Sequence, residues 1–347
     1  MTESLEIEGR KIGKNNPPLI IAEIGINHEG KVEKAKRMVK DAFESGAECV
    51  KFQMHVVEDE MTDEAKEVRP ENADESIWNI MKRSSLTKEE HLELKKYAEE
   101  LGMTYLCTPF SRAAADNLDE LDVSAFKIGS GECNNYPLVE HIASFGKPII
   151  LSTGMNDIES IKESVEIFHK YDIDYALLHC TSMYPAPYDK VNLGAIEHLK
   201  SNFPNAVVGL SDHSLGIYTA LASIPLGARI IEKHFTSDKS WDGPDVPISI
   251  DPGELRELMK GSKAVFEALG GKKEVLSEEK PTTDFAYASV VTIKDVKEGE
   301  ELSKENIWVK RPGTGEIKAE DFNRVLGGKA KQDIPKNIQL EWSMIDV

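Results

Sequence analysis

Eight short apolar runs alternate with stretches of helical period between residue 18 and about residue 270. Strands are predicted at Pro18–Ile26, Glu48–Phe52, Thr104–Thr108, Ala125–Ile128, Pro148–Ser152, Tyr175–Cys180, Ala206–Leu210 and Ala228–His234. Helices are predicted at Val32–Ser45, Lys88–Leu101, Ile158–Tyr171 and Leu215–Pro225, with a last one at Pro252–Leu269. Eight strand–helix units in about 250 residues are the count and size of a (β/α)8 TIM barrel. A doubly wound open sheet would also alternate, but its first turn usually carries glycines that cradle a phosphate. Here that turn reads EIGINHEG, without GxGxxG, so the barrel is favoured.

After residue 270 the texture changes. Residues 271–286 are polar and aperiodic and read as a linker. Residues 287–347 form a small module with two strand-like pieces, ASVVTI and NIWVKR. A module of that size buries little core alone and is expected to dock on another surface. The formal net charge of -19 argues against a nucleic-acid partner, which would need Lys and Arg to neutralise phosphates. No run approaches the ~18 apolar residues of a membrane span, and no signal peptide is evident. The four cysteines are dispersed without CxxC spacing, as small buried hydrophobes of a reducing compartment would be. A cytoplasmic location is expected.

In a barrel the carboxyl ends of the strands converge on one mouth. Read in order, those ends carry Glu23, Asn27 and His28; Lys51 and Gln53; Thr108; Lys127, Ser130 and Glu132; Ser152 and Thr153; Thr181, Ser182 and Tyr184; Ser211 and His213; and Glu232 and His234. Exposed strand ends explain scattered Ser and Thr. They do not explain two lysines, three glutamates and, on the last two strands, a pair of histidines all directed to one mouth. Lys51 and Lys127 with Thr108, Ser130, Ser152 and Ser211 are suited to a phosphate or another small dianion. His213 and His234 end neighbouring strands and suit a divalent metal such as Mn2+ with open positions for water and substrate. No cysteine accompanies them in the sequence, which disfavours a structural zinc. The other seven histidines are assigned no role. In the run ARIIEKHFT, Ile230, Glu232 and His234 share one strand parity and Arg229, Ile231 and Lys233 the other. The first set is expected to face the barrel interior.

The motifs AEIGINHEG, VKFQ, TPF, KIGSGE, LSTGM, CTSMYPAP, GLSDHS, EKHF and GPD, in this order, resemble the sialic acid synthase family. The tail, FAYASVV followed by NIWVKRPGTG, is similar to the antifreeze-like SAF domain that ends those enzymes. The likeness covers essentially the whole chain. It implies condensation of phosphoenolpyruvate with an N-acylated hexosamine, giving a nine-carbon 2-keto-3-deoxy sugar acid and phosphate. The metal implied is Mn2+, with Mg2+ or Co2+ as substitutes, on His213 and His234. Phosphoenolpyruvate would meet Lys51, Thr108, Lys127, Ser130, Ser152 and Ser211. The acceptor would meet Glu23, Gln53, Asn72, Glu132, Tyr184 and Asp245.

The implied catalytic set is Glu23, Lys51, Lys127 and Glu232, with the lysines neutralising phosphate and the glutamates orienting water or carrying protons. The resemblance also implies a domain-swapped homodimer in which Phe285 and Arg311 complete the partner's sugar site. Ser182 stands where bacterial members carry Asn, a difference that bears on the acceptor. The expected acceptor is N-acetylmannosamine. Its 6-phosphate, or a 6-deoxy diacetamido hexose as in legionaminic or pseudaminic acid synthesis, is the alternative. A non-catalytic binding protein on the same scaffold would not need the full set of lysines, histidines and glutamates.

Overall fold

The computed structural model describes residues 4–70 and 74–347. The chain forms two compact units, Met1–Gly270 and Gly271–Val347. The first is built on eight parallel strands: β1 (Leu19–Gly25), β2 (Cys49–Met54), β3 (Thr104–Pro109), β4 (Phe126–Ile128), β5 (Ile149–Ser152), β6 (Tyr175–Cys180), β7 (Val207–Asp212) and β8 (Ile230–His234). Their order is β3-β2-β1-β8-β7-β6-β5-β4, so the last strand pairs with the first and β3 lies beside β4 to close the ring. In the β8–β1 ladder Ile230 stands opposite Leu19 and His234 opposite Glu23. This is the (β/α)8 TIM barrel that the alternation predicts.

Strand parity divides the core. Leu19, Ile21, Cys49, Leu106, Ala176, Leu178, Val207 and Ile230 fill the barrel. The opposite parity, Ile20, Ala22, Val50, Tyr105, Phe126, Leu177 and Ile231, packs under the helices. Residues two positions further along the inward parity are buried and polar: Glu23, Lys51, Lys127 and Glu232. The interior is therefore apolar at the amino end of the strands and ionic at the carboxyl end.

A hairpin, Ser4–Ile7 with Arg10–Gly13, was not expected from the sequence. Its strands are short and half exposed, with no long apolar run to mark them. Leu5, Ile7 and Ile12 join the interior cluster and plug the amino end of the barrel. Fully burying each such side chain stabilises the fold by roughly 1.5–3 kcal/mol.

Local rules set the helix ends. Asp251 caps Pro252–Glu267 in a capping box with Glu254, and Thr87 does the same for Lys88–Glu100 with Glu90. The helix expected at Leu215–Pro225 shrinks to Tyr218–Ser223, because Gly216 takes φ +67 and interrupts the spiral. β7 runs to Asp212 instead of stopping at Leu210. Among the described residues no helix is long and apolar enough to cross a membrane. All four cysteines are free and buried.

The second unit pairs Ser289–Thr292 with Ile307–Lys310 and Lys329–Ala330 with Ile345–Asp346, both antiparallel. Val290, Ile307, Ile317, Val325, Ile334 and Leu340 form its core. The stretch read as a linker contains a helix, Lys280–Ala286, with Pro281 in its first turn, where a missing N–H costs nothing.

Candidate active site

The carboxyl ends of the strands enclose a cavity of about 280 Å3. Lys51 on β2 and Lys127 on β4 reach into it with their ammonium groups almost wholly removed from water. Burying two cations requires nearby anions. Lys51 Nζ lies 2.8 Å from Glu23 Oε2, and Glu232 Oε2 lies 3.8 Å from each lysine nitrogen. Hydroxyls complete the ring. Lys51 donates to Thr108 Oγ1 at 3.1 Å, Lys127 donates to Ser152 Oγ at 2.7 Å, and Ser211 Oγ donates to Glu232 Oε1 at 3.0 Å. Glu232 Oε2 and Glu23 Oε2 have no aligned hydrogen-bond donor.

Burial raises the Glu23 carboxyl above the ordinary range, with Lys51 acting against it. For Glu232, burial acts upward, but Lys127 and Lys51 together hold the carboxyl low. Burial also lowers the Lys127 ammonium.

Ser130, Ser182 and Tyr184 line the same cavity. Gly154 N–H donates to Ser130 Oγ at 2.9 Å. A Cβ at Gly154 would stand 2.4 Å from Ser182 Oγ and 2.9 Å from Ser130 Oγ, so only glycine lets these hydroxyls approach the backbone.

The His213 and His234 rings are 5.3 Å apart, and Tyr184 packs on His213 at 4.2 Å. His213 Nδ1 donates to the Thr181 carbonyl oxygen at 3.0 Å, which leaves Nε2 as the free ring nitrogen. His234 Nδ1 is buried without a hydrogen-bond partner, 3.7 Å from Asp245 Oδ2. Burial holds the His234 ring far below the ordinary histidine range, so it is a neutral donor of a lone pair. These two imidazoles are the side chains that could hold a metal ion. Among the described residues no group of three or more His, Cys, Asp or Glu is arranged to do so, so other ligands would be water or substrate.

Asp245 sits outside the cavity lining but touches the site: its Oδ2 is 3.6 Å from where a Cβ of Gly25 would lie, next to Glu23. Burial, with Glu23 beside it, pushes its carboxyl up to about 6. Glu132 turns away to accept from Asn135 Nδ2 at 2.5 Å, and burial raises its carboxyl. Asn72 lies outside the described residues. Phe285 and Arg311 belong to the second unit, where the guanidinium stands 5.8 Å from the ring.

Three features were missed from the sequence. Cys180 Sγ lies 3.8 Å from His213 Nδ1, so a cysteine does accompany the histidine pair, brought there by the pairing of β6 with β7. Phe110 and Met155 line the cavity from loops whose role only the closed barrel reveals. His55, to which no role was given, is hydrogen-bonded to Gln53.

The sequence profile of the NeuB family matches residues 38–274, and that of the SAF domain matches residues 287–346. The N,N'-diacetyllegionaminic acid synthase of Campylobacter jejuni is 39% identical over 89% of this chain and 94% of its own length. The N-acetylneuraminate-9-phosphate synthase of Homo sapiens is 35% identical over 99% of this chain and 97% of its own. The crystal structure of N-acetylneuraminic acid synthetase from Leptospira borgpetersenii superposes with a TM-score of 0.74 at 35% identity, covering 81% of this chain and 95% of that one. With this coverage and this site, the chain belongs to the sialic acid synthase (NeuB) family and ends in a SAF domain.

Proposed function

We propose that this protein is a phosphoenolpyruvate-dependent nonulosonate synthase. It would condense phosphoenolpyruvate with an N-acylated hexosamine to a nine-carbon 2-keto-3-deoxy sugar acid and inorganic phosphate. The observation that carries this reading is the buried pair Lys51 and Lys127, ringed by Thr108, Ser152 and Ser211 and set beside two imidazoles in one cavity. In the reaction, C3 of phosphoenolpyruvate forms a bond to the aldehyde carbon of the open-chain sugar, and the aldehyde oxygen takes up a proton. Water adds at C2, and the C2–O bond to phosphate then breaks. Lys51 and Lys127 hold the phosphate charge in a water-poor site, where such contacts are strongest. Glu23, next to Lys51, and Glu232, between the lysines, are placed to orient water or carry protons.

His213 and His234 would hold a divalent ion, Mn2+ by preference. The unpartnered Nδ1 of His234 and the free Nε2 of His213 fit that use. Such an ion polarises a carbonyl oxygen as a Lewis acid.

The acceptor we favour is N-acetylmannosamine. A 6-deoxy diacetamido hexose is the second reading, supported by the 39% identity to the legionaminic acid synthase. A homodimer is part of the proposal, with the SAF unit of one subunit over the barrel of the other. Support comes from an exposed apolar rim at the mouth, formed by Met155, Tyr184, Leu215 and Tyr218, and from the exposed Phe285 in the SAF unit. The test is phosphate release from phosphoenolpyruvate with Mn2+, run over N-acetylmannosamine, its 6-phosphate and 6-deoxy diacetamido hexoses. Release that depends on one of these acceptors is expected. No release with any of them overturns the reading.

A further inference from the structure

Two side chains that the reaction does not directly use, His55 and Glu60, are linked by hydrogen bonds to Gln53 and Glu23 in the cavity wall. Glu60 Oε2 lies 2.8 Å from His55 Nδ1, and His55 Nε2 lies 3.2 Å from Gln53 Oε1. Gln53 Nε2 donates to Glu23 Oε1 at 2.9 Å, and Glu23 Oε2 contacts Lys51 at 2.8 Å. His55 is 6% exposed, and its ring stacks on Phe110 at 4.5 Å with 13° between the planes. The stack fixes the ring plane, and Phe110 is itself part of the cavity wall.

We infer that His55, backed by Glu60, is a positioning residue that decides which way round the Gln53 amide lies, and through it where Glu23 points. An amide oxygen only accepts, so the Nε2–H of His55 can bond Gln53 in one orientation. That orientation turns the Gln53 NH2 toward Glu23. The reverse would set the amide oxygen against the Glu23 carboxylate, two acceptors face to face. Glu60 Oε2 accepts the Nδ1–H of His55, and its carboxylate supports a ring that also carries an Nε2–H, the donor that Gln53 Oε1 requires. Gln53 lines the cavity and is bonded to Glu23, and no hydrogen bond joins it to Lys127 or Ser152, which bond each other. A misplaced Gln53–Glu23 pair should therefore harm handling of the sugar more than that of phosphoenolpyruvate. This consequence rests on the proposed function; the geometry does not.

The experiment compares His55→Phe, which keeps the stack on Phe110 and loses both N–H groups, with His55→Gln, whose amide can still donate to Gln53. Steady-state constants for each substrate are measured with Glu60→Gln alongside, and the crystal structure of each variant is determined. For His55→Phe, kcat/KM for the sugar should fall by about 10²-fold, the cost of a misplaced site group. KM for phosphoenolpyruvate should stay within roughly twofold, the mark of an effect confined to one substrate. His55→Gln should recover most of the loss, and Glu60→Gln should fall between the two. In the His55→Phe crystal the Gln53 nitrogen should leave Glu23 Oε1. Unchanged constants, equal losses for both substrates, or a Gln53 nitrogen still bonded to Glu23 would each overturn the inference. If the unmodified protein turns over none of the sugars, the proposed function fails, and the crystal structure alone decides the role of His55.

Discussion

Lys233 Nζ lies 3.1 Å from Asp212 Oδ2, and both side chains are completely shielded from solvent. The pair joins β8 to β7 on the face away from the cavity, directly behind His213 and His234. Asp212 also accepts from Ser214 N at 2.9 Å and Thr219 Oγ1 at 2.7 Å. Removing one member of a buried pair leaves an uncompensated charge, at a cost of about 3–5 kcal/mol. Lys233→Met is expected to lose that much in urea unfolding; a loss below about 1 kcal/mol, the scale of a surface pair, would contradict a structural role.

Lys127 bonds Ser152 and faces Glu232 in the anion ring. Lys127→Met removes a charged donor aimed at the leaving phosphate, so kcat/KM for phosphoenolpyruvate should fall on the order of 10²–10³-fold or more. Fold integrity is checked by circular dichroism. A variant that folds and releases phosphate at the normal rate would remove Lys127 from the catalytic set.

The imidazole pair makes a prediction of its own. Chelation should abolish phosphate release and added Mn2+ should restore it. His234→Ala should bind less metal by elemental analysis and by titration of the protein without substrate. Retained metal with near-normal turnover would sink the ligand assignment.

Two buried histidines outside the site are expected to contribute to the pH dependence of stability in acid. Burial lowers the ring of His91 to about 3 and that of His28 to about 4. His91 Nδ1 bonds Tyr105 OH at 2.7 Å. Both rings stay neutral in the folded protein, whereas the unfolded chain protonates them below about 6.5. The unfolded state then binds more protons, so stability is full above that pH and is lost as pH falls. Each group contributes roughly 1.4 kcal/mol per pH unit between its two values. His91→Gln should flatten the stability curve between pH 6 and 4 by about that slope relative to the unmodified protein. Parallel curves would show that His91 does not titrate on unfolding.

Arg311, exposed beside Phe285, tests the proposed exchange of SAF units. Arg311→Ala should raise KM for the sugar far more than KM for phosphoenolpyruvate. Mixing it with a Lys127→Met subunit should restore some activity, since in the mixed dimer both defects fall in one shared site and the other site is intact. Equal effects on both constants, or no complementation, would argue against a shared site.

Much of this was legible in one dimension. The alternation of runs predicts the barrel, and parity in ARIIEKHFT places Ile230, Glu232 and His234 inward; the structure puts Ile230 in the interior cluster and Glu232 and His234 in the cavity wall, with Ile231 under the helices. Both signals are local, because a period of two and a position at a strand end depend only on near neighbours along the chain. Lys51, Lys127, Glu23, Glu232 and the histidine pair were found that way, and the barrel brings them into one cavity. Closure of the sheet decided the rest. It set Cys180 beside His213, folded Phe110 onto His55, and drew the hairpin at Ser4–Ile7 and Arg10–Gly13 into the barrel floor. Lys233, read only as the outward member of its strand, turned out to need Asp212 from the neighbouring strand. The sequence thus determined which strand ends carry charge, and tertiary structure decided which charges meet, because that depends on pairing between strands far apart in the chain.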